Sequence, residues 1–173
     1  KVSSQYVAKA GDLKDGQMYA ISNRREPGVY LSEDNGKLST KQHTTQGQYS
    51  QYSVLTNGTT DILYGNEVFI FKKGSKTEQP ESYKSWSWGK IQSLSTGMYL
   101  DSGFGLNSSS DNAQELVFAN KWNNDYGELD GEIDIRKADL TVAFSYNQGL
   151  QWQSYSGNDR FRSKWVFYEV KAQ

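Results

Sequence analysis

Gly28-Val29-Tyr30-Leu31-Ser32, followed by Asp34-Asn35-Gly36-Lys37-Leu38, is the stretch on which the fold turns. Short groups containing apolar residues flank an Asn-Gly pair, the pattern of two short strands joined by a tight turn. The pattern returns as Gly97-Met98-Tyr99-Leu100-Asp101 with Gly105-Leu106, and more weakly as Val142-Ala143-Phe144-Ser145 with Gly149-Leu150-Gln151-Trp152. Each copy follows a strand with alternating apolar residues, Tyr19 and Ile21, Ile133 and Ile135, and, less strictly, Ile91 and Leu94. Each precedes an aromatic strand, at Gln48–Val54, Gln114–Phe118 and Ser163–Phe167. Internal self-similarity of this kind predicts three copies of one four-strand unit.

The rest of the composition agrees with an all-β chain. Helical periodicity is hard to find, whereas 12 Tyr, 7 Phe and 5 Trp sit among 16 Gly and many Ser, Asn and Asp clusters. Aromatic residues favour pleated, half-buried surfaces, and the polar clusters supply turns. A chain of 173 residues fits a single domain able to hold a core without staples. We place a lead-in at 1–16, repeats at about 17–55, 88–120 and 131–170, and an insertion at about 56–87, because the first two copies stand much farther apart than the last two. That insertion has room for an added hairpin.

Composition also excludes chemistry. With no Cys there are no disulfides, zinc-thiolate sites or thiol nucleophiles, and a single His43 in a polar, turn-like stretch leaves no histidine metal site. A net charge of −1, with charges of both signs scattered, gives no electrostatic footprint for nucleic acid. No apolar run reaches the length of a membrane span, so no membrane insertion is expected. The start at Lys1 suits an exported, processed chain or an excised module, and the lack of Cys leans towards a bacterial source.

The three-unit pattern resembles the β-trefoil superfamily, and within it the ricin-B-type lectins and carbohydrate-binding modules, whose repeats end in a Gln-x-Trp-like strand. Gln114-x-x-x-Phe118 and Trp165 are imperfect versions, and Gln151-Trp152 falls one strand early. The resemblance implies six strands closing a barrel, six forming a cap, and one core aromatic per repeat. It also implies a sugar-hydroxyl acceptor after the second strand of a repeat. Asp101 holds that place in the second copy, where the others have Ser32 and Ser145, with Asn107 on the same loop system.

Five aromatic residues are candidates from the sequence itself. In Tyr83-Lys84-Ser85-Trp86-Ser87-Trp88, a strand would put Trp86 and Trp88 on one face as a flat strip with Tyr83 nearby. Sugar rings present apolar C–H faces that stack on such strips, although core packing would use the same spacing. Trp122, among Lys121, Asn123, Asn124 and Asp125, and Trp152, between two Gln residues, have amphipathic surroundings suited to a surface.

One string suggests an enzyme. Gly131-Glu132-Ile133-Asp134-Ile135 resembles the catalytic strand of laminarinase-type retaining glycoside hydrolases, and Glu132 and Asp134 would share a face. The third carboxylate of that motif is replaced by Arg136 and Lys137. The same acidic stretch, Asp125 to Glu132, fails the EF-hand pattern. The expectation is therefore a non-catalytic lectin or carbohydrate-binding module, secreted or at the cell surface, binding a polysaccharide or glycan through Tyr83, Trp86, Trp88, Asp101, Asn107, Trp122 and Trp152. No metal or other cofactor is assigned. The alternatives are a protein-binding trefoil of protease-inhibitor or adhesin type acting through the Lys-rich loop 72–85, and a glycosidase using Glu132 and Asp134.

Overall fold

A computed structural model of the chain describes residues 6–42, 52–56, 59–63, 65–100, 106–107, 115–121 and 130–172. The fold is all-β, with helical structure among these residues confined to three short 3-10 segments. The strands are β1 (Met18–Asn23), β2 (Val29–Asp34), β3 (Lys37–Gln42), β4 (Tyr52–Thr56), β5 (Thr59–Leu63), β6 (Phe69–Lys73), β7 (Tyr83–Ser93) and β8 (Tyr99–Leu100). They continue as β9 (Leu106–Asn107), β10 (Leu116–Lys121), β11 (Asp134–Lys137), β12 (Phe144–Tyr146), β13 (Leu150–Trp152), β14 (Trp165–Glu169) and β15 (Lys171–Ala172).

Local chemistry explains the first hairpin. Asn35 and Gly36 both have positive φ, 52° and 79°, and join β2 to β3 in register from Asp34↔Lys37 to Val29↔Gln42. Two left-handed residues are what a tight hairpin turn needs, and Asn-Gly tolerates them best.

A large antiparallel sheet runs β11-β10-β7-β6-β1-β2-β3, with β14 also paired to β1 and β8 paired to β7. It curls. Ile133, just before β11, exchanges both backbone hydrogen bonds with Trp165 at the start of β14, at 3.0 and 2.8 Å. Beyond that bridge the N-terminal segment fills the seam: Tyr6 bridges Tyr168, the Val7 amide donates to Phe167 O, and the Gly131 amide donates to Ala8 O, both at 2.8 Å. The next turn of chain is tied to the sheet's inner side. The Ala10 amide donates to Asn120 Oδ1 (2.7 Å), and Ser87 Oγ donates to Ala10 O (2.7 Å).

Inside the curl, Phe71, Phe118 and Phe167, one from each of β6, β10 and β14, are buried. Phe118 meets Phe71 at 5.2 Å and Phe167 at 5.9 Å, both edge to face. Leu31, Leu100 and Phe144, the matching residues of the three sequence copies, are at most 1% exposed in the same core. Gly89 makes room for this packing. A Cβ there would lie 2.5 Å from Lys72 O and 2.7 Å from the Phe71 ring.

One strand differs from expectation. The aromatic strand predicted to end the first copy, at Gln48–Val54, does not join the large sheet. Its described part lies in β4, which pairs with β5 and β15 in a separate three-stranded sheet. The place beside β1 belongs to β6, because Phe69 and Phe71 alternate with Ile70 and Lys72 and bring the buried ring that the core requires. Likewise β7 starts at Tyr83, ahead of the boundary expected at 88.

Truncating a fully buried Phe removes its transfer free energy and leaves a cavity, so Phe118→Ala is expected to cost ~3–5 kcal/mol. Denaturant midpoints at constant m-value would measure this, and a cost well below ~1 kcal/mol would show that the three rings are not the centre of the core.

Candidate functional site

The Trp strip is a folded feature first. Trp86 and Trp88 do share the outer face of β7, while Ser85 and Ser87 point inward and bond the Gly11 amide (2.8 Å) and Ala10 O. A satellite core of Tyr83, Trp88, Val117 and Ala119 forms on that outer face. The segment 74–82 roofs it. Trp88 Nε1 donates to Glu78 O at 2.9 Å, Trp86 Nε1 donates to Thr77 O at 3.2 Å, and the Lys76 ammonium lies 4.9 Å from the Trp88 ring centre. Gln79 Nε2 donates to Tyr83 O at 2.6 Å.

This corrects two of the expected stacking residues. Trp88 (4% exposed) and Tyr83 (3%) are covered by the chain's own loop and offer no ring face to a sugar. Only Trp86 keeps partial exposure. The same contacts pin the Lys-rich loop that a protease-cleft reading would need to project. Trp152 is half-buried on β13, packed against Phe144 at 5.0 Å with the Lys137 ammonium 5.0 Å from its ring centre. Asn107 lies in β9 opposite Tyr99. Asp101 and Trp122 lie outside the described residues, as does His43.

The structure brings together two motifs that are far apart in sequence. Ala119 of β10 pairs with Trp86 on one side and Asp134 on the other, so the Trp strip and the acidic strand share one outer face. Asp134 is 1% exposed, and both its oxygens are taken. Arg136 Nε donates to Oδ2 at 3.1 Å, and the Lys164 ammonium donates to Oδ1. Arg136 also donates to Leu140 O (3.3 Å) and lies beside the Tyr83 hydroxyl. Burial, reinforced by Asp134, pushes that phenol well above its usual range. A nucleophile or acid/base at Asp134 would first have to shed two cations.

Glu132 is held differently. Its Oε1 accepts from Arg24 Nε at 3.2 Å, while Oε2 is buried with no hydrogen-bond partner. Burial raises the carboxyl above its ordinary value, and Arg24 opposes the rise. The Arg24 guanidinium also lies 5.0 Å from the Phe161 ring centre. Among the described residues no group of three or more His, Asp or Glu is arranged to hold a metal ion.

Beyond Arg24 lies a pocket of about 210 Å3, lined by Tyr6, Asn23, Arg24, Pro27, Asp130 and Tyr168 among others. Tyr6 is its open wall. At 41% exposure it is the one exposed large hydrophobic side chain among the described residues. Its place is fixed by the backbone bridge to Tyr168 and by Gly131, where a Cβ would come within 2.8 Å of the Tyr6 ring. Asn23 makes the adjoining turn rigid, accepting from the Arg25 and Glu26 amides (3.0 and 3.1 Å) and donating to Arg162 O (3.0 Å). Asp130 pairs with Lys9 at 2.7 Å and is more than half exposed. A wider depression of about 820 Å3, with Lys14, Asp15, Lys73 and Glu169 in its lining, lies on the other side of Tyr6. It has more volume but a rim of charged side chains, and the smaller pocket combines a ring face with convergent polar groups.

Sequence reasoning missed this pocket. Tyr6 sits in a lead-in with no periodic pattern, and only pairing with residues near the other end of the chain gives it a position. Gly131, inside the acidic run, was the local signal, since a left-handed glycine (φ 80°) marks a close approach.

No family model matches the sequence, and no relative is found among curated proteins.

The Glu132 environment carries a pH signature. A carboxyl whose folded value is raised stabilises most below its ordinary value of 4.5 and loses that contribution as pH rises towards the folded value. Denaturant midpoints of Glu132→Gln should therefore gain on the parent as pH rises from 4.5 towards neutrality. A difference that stays constant across that window would mean that the buried, ionised carboxylate carries no penalty.

Proposed function

We propose that the chain is a β-trefoil of three four-strand units that acts as a non-catalytic glycan-binding module, with its principal sugar site at the Tyr6 pocket. The trefoil reading is supported by the order of pairing, which runs β1–β6–β7–β10–β11, through the Ile133–Trp165 bridge to β14, and back to β1. Three strand pairs stand off this circle, β2 with β3, β8 with β9, and β12 with β13. Read this way, the units are β1–β3 with β6, β7–β10, and β11–β14, and the β4–β5 hairpin is the insertion, falling inside the first unit.

Tyr6 carries the functional reading. Its exposed ring stands at a small pocket beside Arg24, Asp130 and Tyr168. A sugar needs a ring to stack on and fixed polar groups for its hydroxyls, and this wall supplies both. A volume below the ~300–1,000 Å3 of drug-sized sites suits one sugar ring rather than a long buried ligand. Arg24 adds donors: its terminal nitrogens make no hydrogen bond to a described residue, while its Nε is held by Glu132. Trp86 and Trp152, both half-buried, serve as outlying contacts, Asp101 and Asn107 remain candidates for a second-unit site, and Trp122 for a separate stacking contact.

The same reading makes the protein secreted or cell-surface, of bacterial type, and a module of a larger secreted protein, with no role for nucleic acid. A Cys-free chain with polar loops and exposed aromatics suits that setting. No helix among the described residues is long and apolar enough to cross a membrane.

A glycan panel followed by calorimetry tests the assignment. Tyr6→Ala should weaken the best ligand by about tenfold or more, the scale of one lost aromatic contact, with thermal unfolding close to the parent. Trp88→Ala should instead lower stability. A parent that binds no glycan, or a Tyr6→Ala variant with unchanged affinity, would overturn the proposal.

A further inference from the structure

The outer face that runs from Trp86 to Arg24 has its own electrostatic character. Trp86 lies opposite Ala119, Ala119 lies opposite Asp134, Lys164 bonds Asp134, and the Arg24 amide donates to Lys164 O at 2.9 Å. At ~4.8 Å per strand this belt is about 15–20 Å long around the curve. It starts at a half-exposed indole and ends at the Tyr6 pocket, which Arg24 lines.

Among the described residues, four cations occupy the belt, Arg24, Lys121, Arg136 and Lys164, against two carboxylates, Glu132 and Asp134. The whole chain is net negative at −1, so this local positive excess is a placed feature rather than a general one. Lys121 is its open member. It is exposed, stands across from Tyr83 on the neighbouring strand, and has no ion-pair partner among the described residues. Partial burial and the repulsion of Arg136 and Lys164 lower its ammonium below the usual range, and Asp134 only partly compensates. An incoming anion would relieve that repulsion. Asp134 does so only in part.

We infer that the glycan this module binds is acidic, its carboxylate or sulfate groups lying along the belt against Lys121 and Arg24 while a sugar ring uses the Trp86 edge or the Tyr6 wall. This inference rests on the glycan-binding reading and adds the ligand's charge class to it. Rings alternating with cations suit a charged sugar chain, since each residue brings an apolar face and a fixed anion. An isolated phosphate would need only the cations. A nucleic acid would gain little from the chain as a whole, which is net negative at −1.

The test uses the intact chain and matched polymers: dextran sulfate against dextran for sulfate, and polygalacturonate against its methyl ester for carboxylate. Binding to at least one charged polymer should exceed binding to its neutral partner by about tenfold or more, and should weaken as salt screens the belt. Lys121→Glu should lose most of that preference, and Lys121→Gln should lose part of it. Lys37→Glu, on the exposed β2–β3 hairpin, should behave as the parent. Circular dichroism of each variant separates lost binding from lost fold.

Equal binding to charged and neutral partners would overturn the acidic-ligand inference and leave the glycan reading standing. Binding to none of the four, in a protein that also binds nothing on the glycan panel, would overturn both. Equally tight binding to single-stranded DNA would overturn the sugar specificity, leaving a simple polyanion surface. A charge preference that survives Lys121→Glu in full would overturn the assignment to this belt.

Discussion

A curled antiparallel sheet has to satisfy the backbone at its seam, and the rest of this molecule is arranged around how that is done. Between β11 and β14 direct pairing is confined to the Ile133–Trp165 bridge, after which Tyr6, Val7 and Ala8 supply the missing donors and acceptors. Unpaired buried amides and carbonyls there would each cost about 1–3 kcal/mol. Closing the seam also brings Val7, Ala10 and Leu13 into the central core, where they join the rings of Phe71, Phe118 and Phe167. The candidate pocket follows from the same solution. Tyr6 is exposed because its neighbour Val7 is buried, as alternation along an extended segment requires.

The outer face obeys a second constraint. Parts of it are as dry as a core, yet it carries charged side chains, so the charges have to be engaged. Asp134 is, through Arg136 and Lys164, and the Tyr83 hydroxyl of β7 lies in the field of that network. Paired groups of this kind contribute little net stability, because desolvation offsets much of their attraction, whereas removal of one partner would be costly. Their clearer effect is geometric. They hold three strands' worth of side chains in one arrangement, with the satellite core of Trp88, Val117 and Ala119 packed alongside.

The parts of the fold legible in the sequence were those set by neighbours in the chain. Asn35-Gly36 announced the β2–β3 turn, alternation placed Trp86 and Trp88 on one face, and Leu31, Leu100 and Phe144 are all buried. The parts that were not legible depend on contacts between distant residues. Nothing near Trp88 says that residues 74–82 fold back over it, so its burial could not be separated from a platform. Gln48–Val54 and Phe69–Lys73 are both aromatic, and only the company of Phe118 and Gly89 selects the second for the large sheet. Arg136 was visible as a departure from a hydrolase strand, but the second cation on Asp134 comes from Lys164, thirty residues later. The Tyr6 pocket joins both ends of the chain and had no local signature beyond Gly131.

The seam also has a consequence in time. Tyr6 and Val7 leave the ribosome among the first residues of this stretch, whereas Tyr168 and Phe167, to which they bond, come almost last. Contacts of such long sequence separation form late and slow the folding of β-rich chains. Until they form, Tyr6 and Val7 have no strand to pair with, and the apolar Val7 side chain must wait uncovered while most of the sheet is still being made. The wall of the pocket is thus completed in the same event that closes the fold, and a partly folded chain would present the strands without the site.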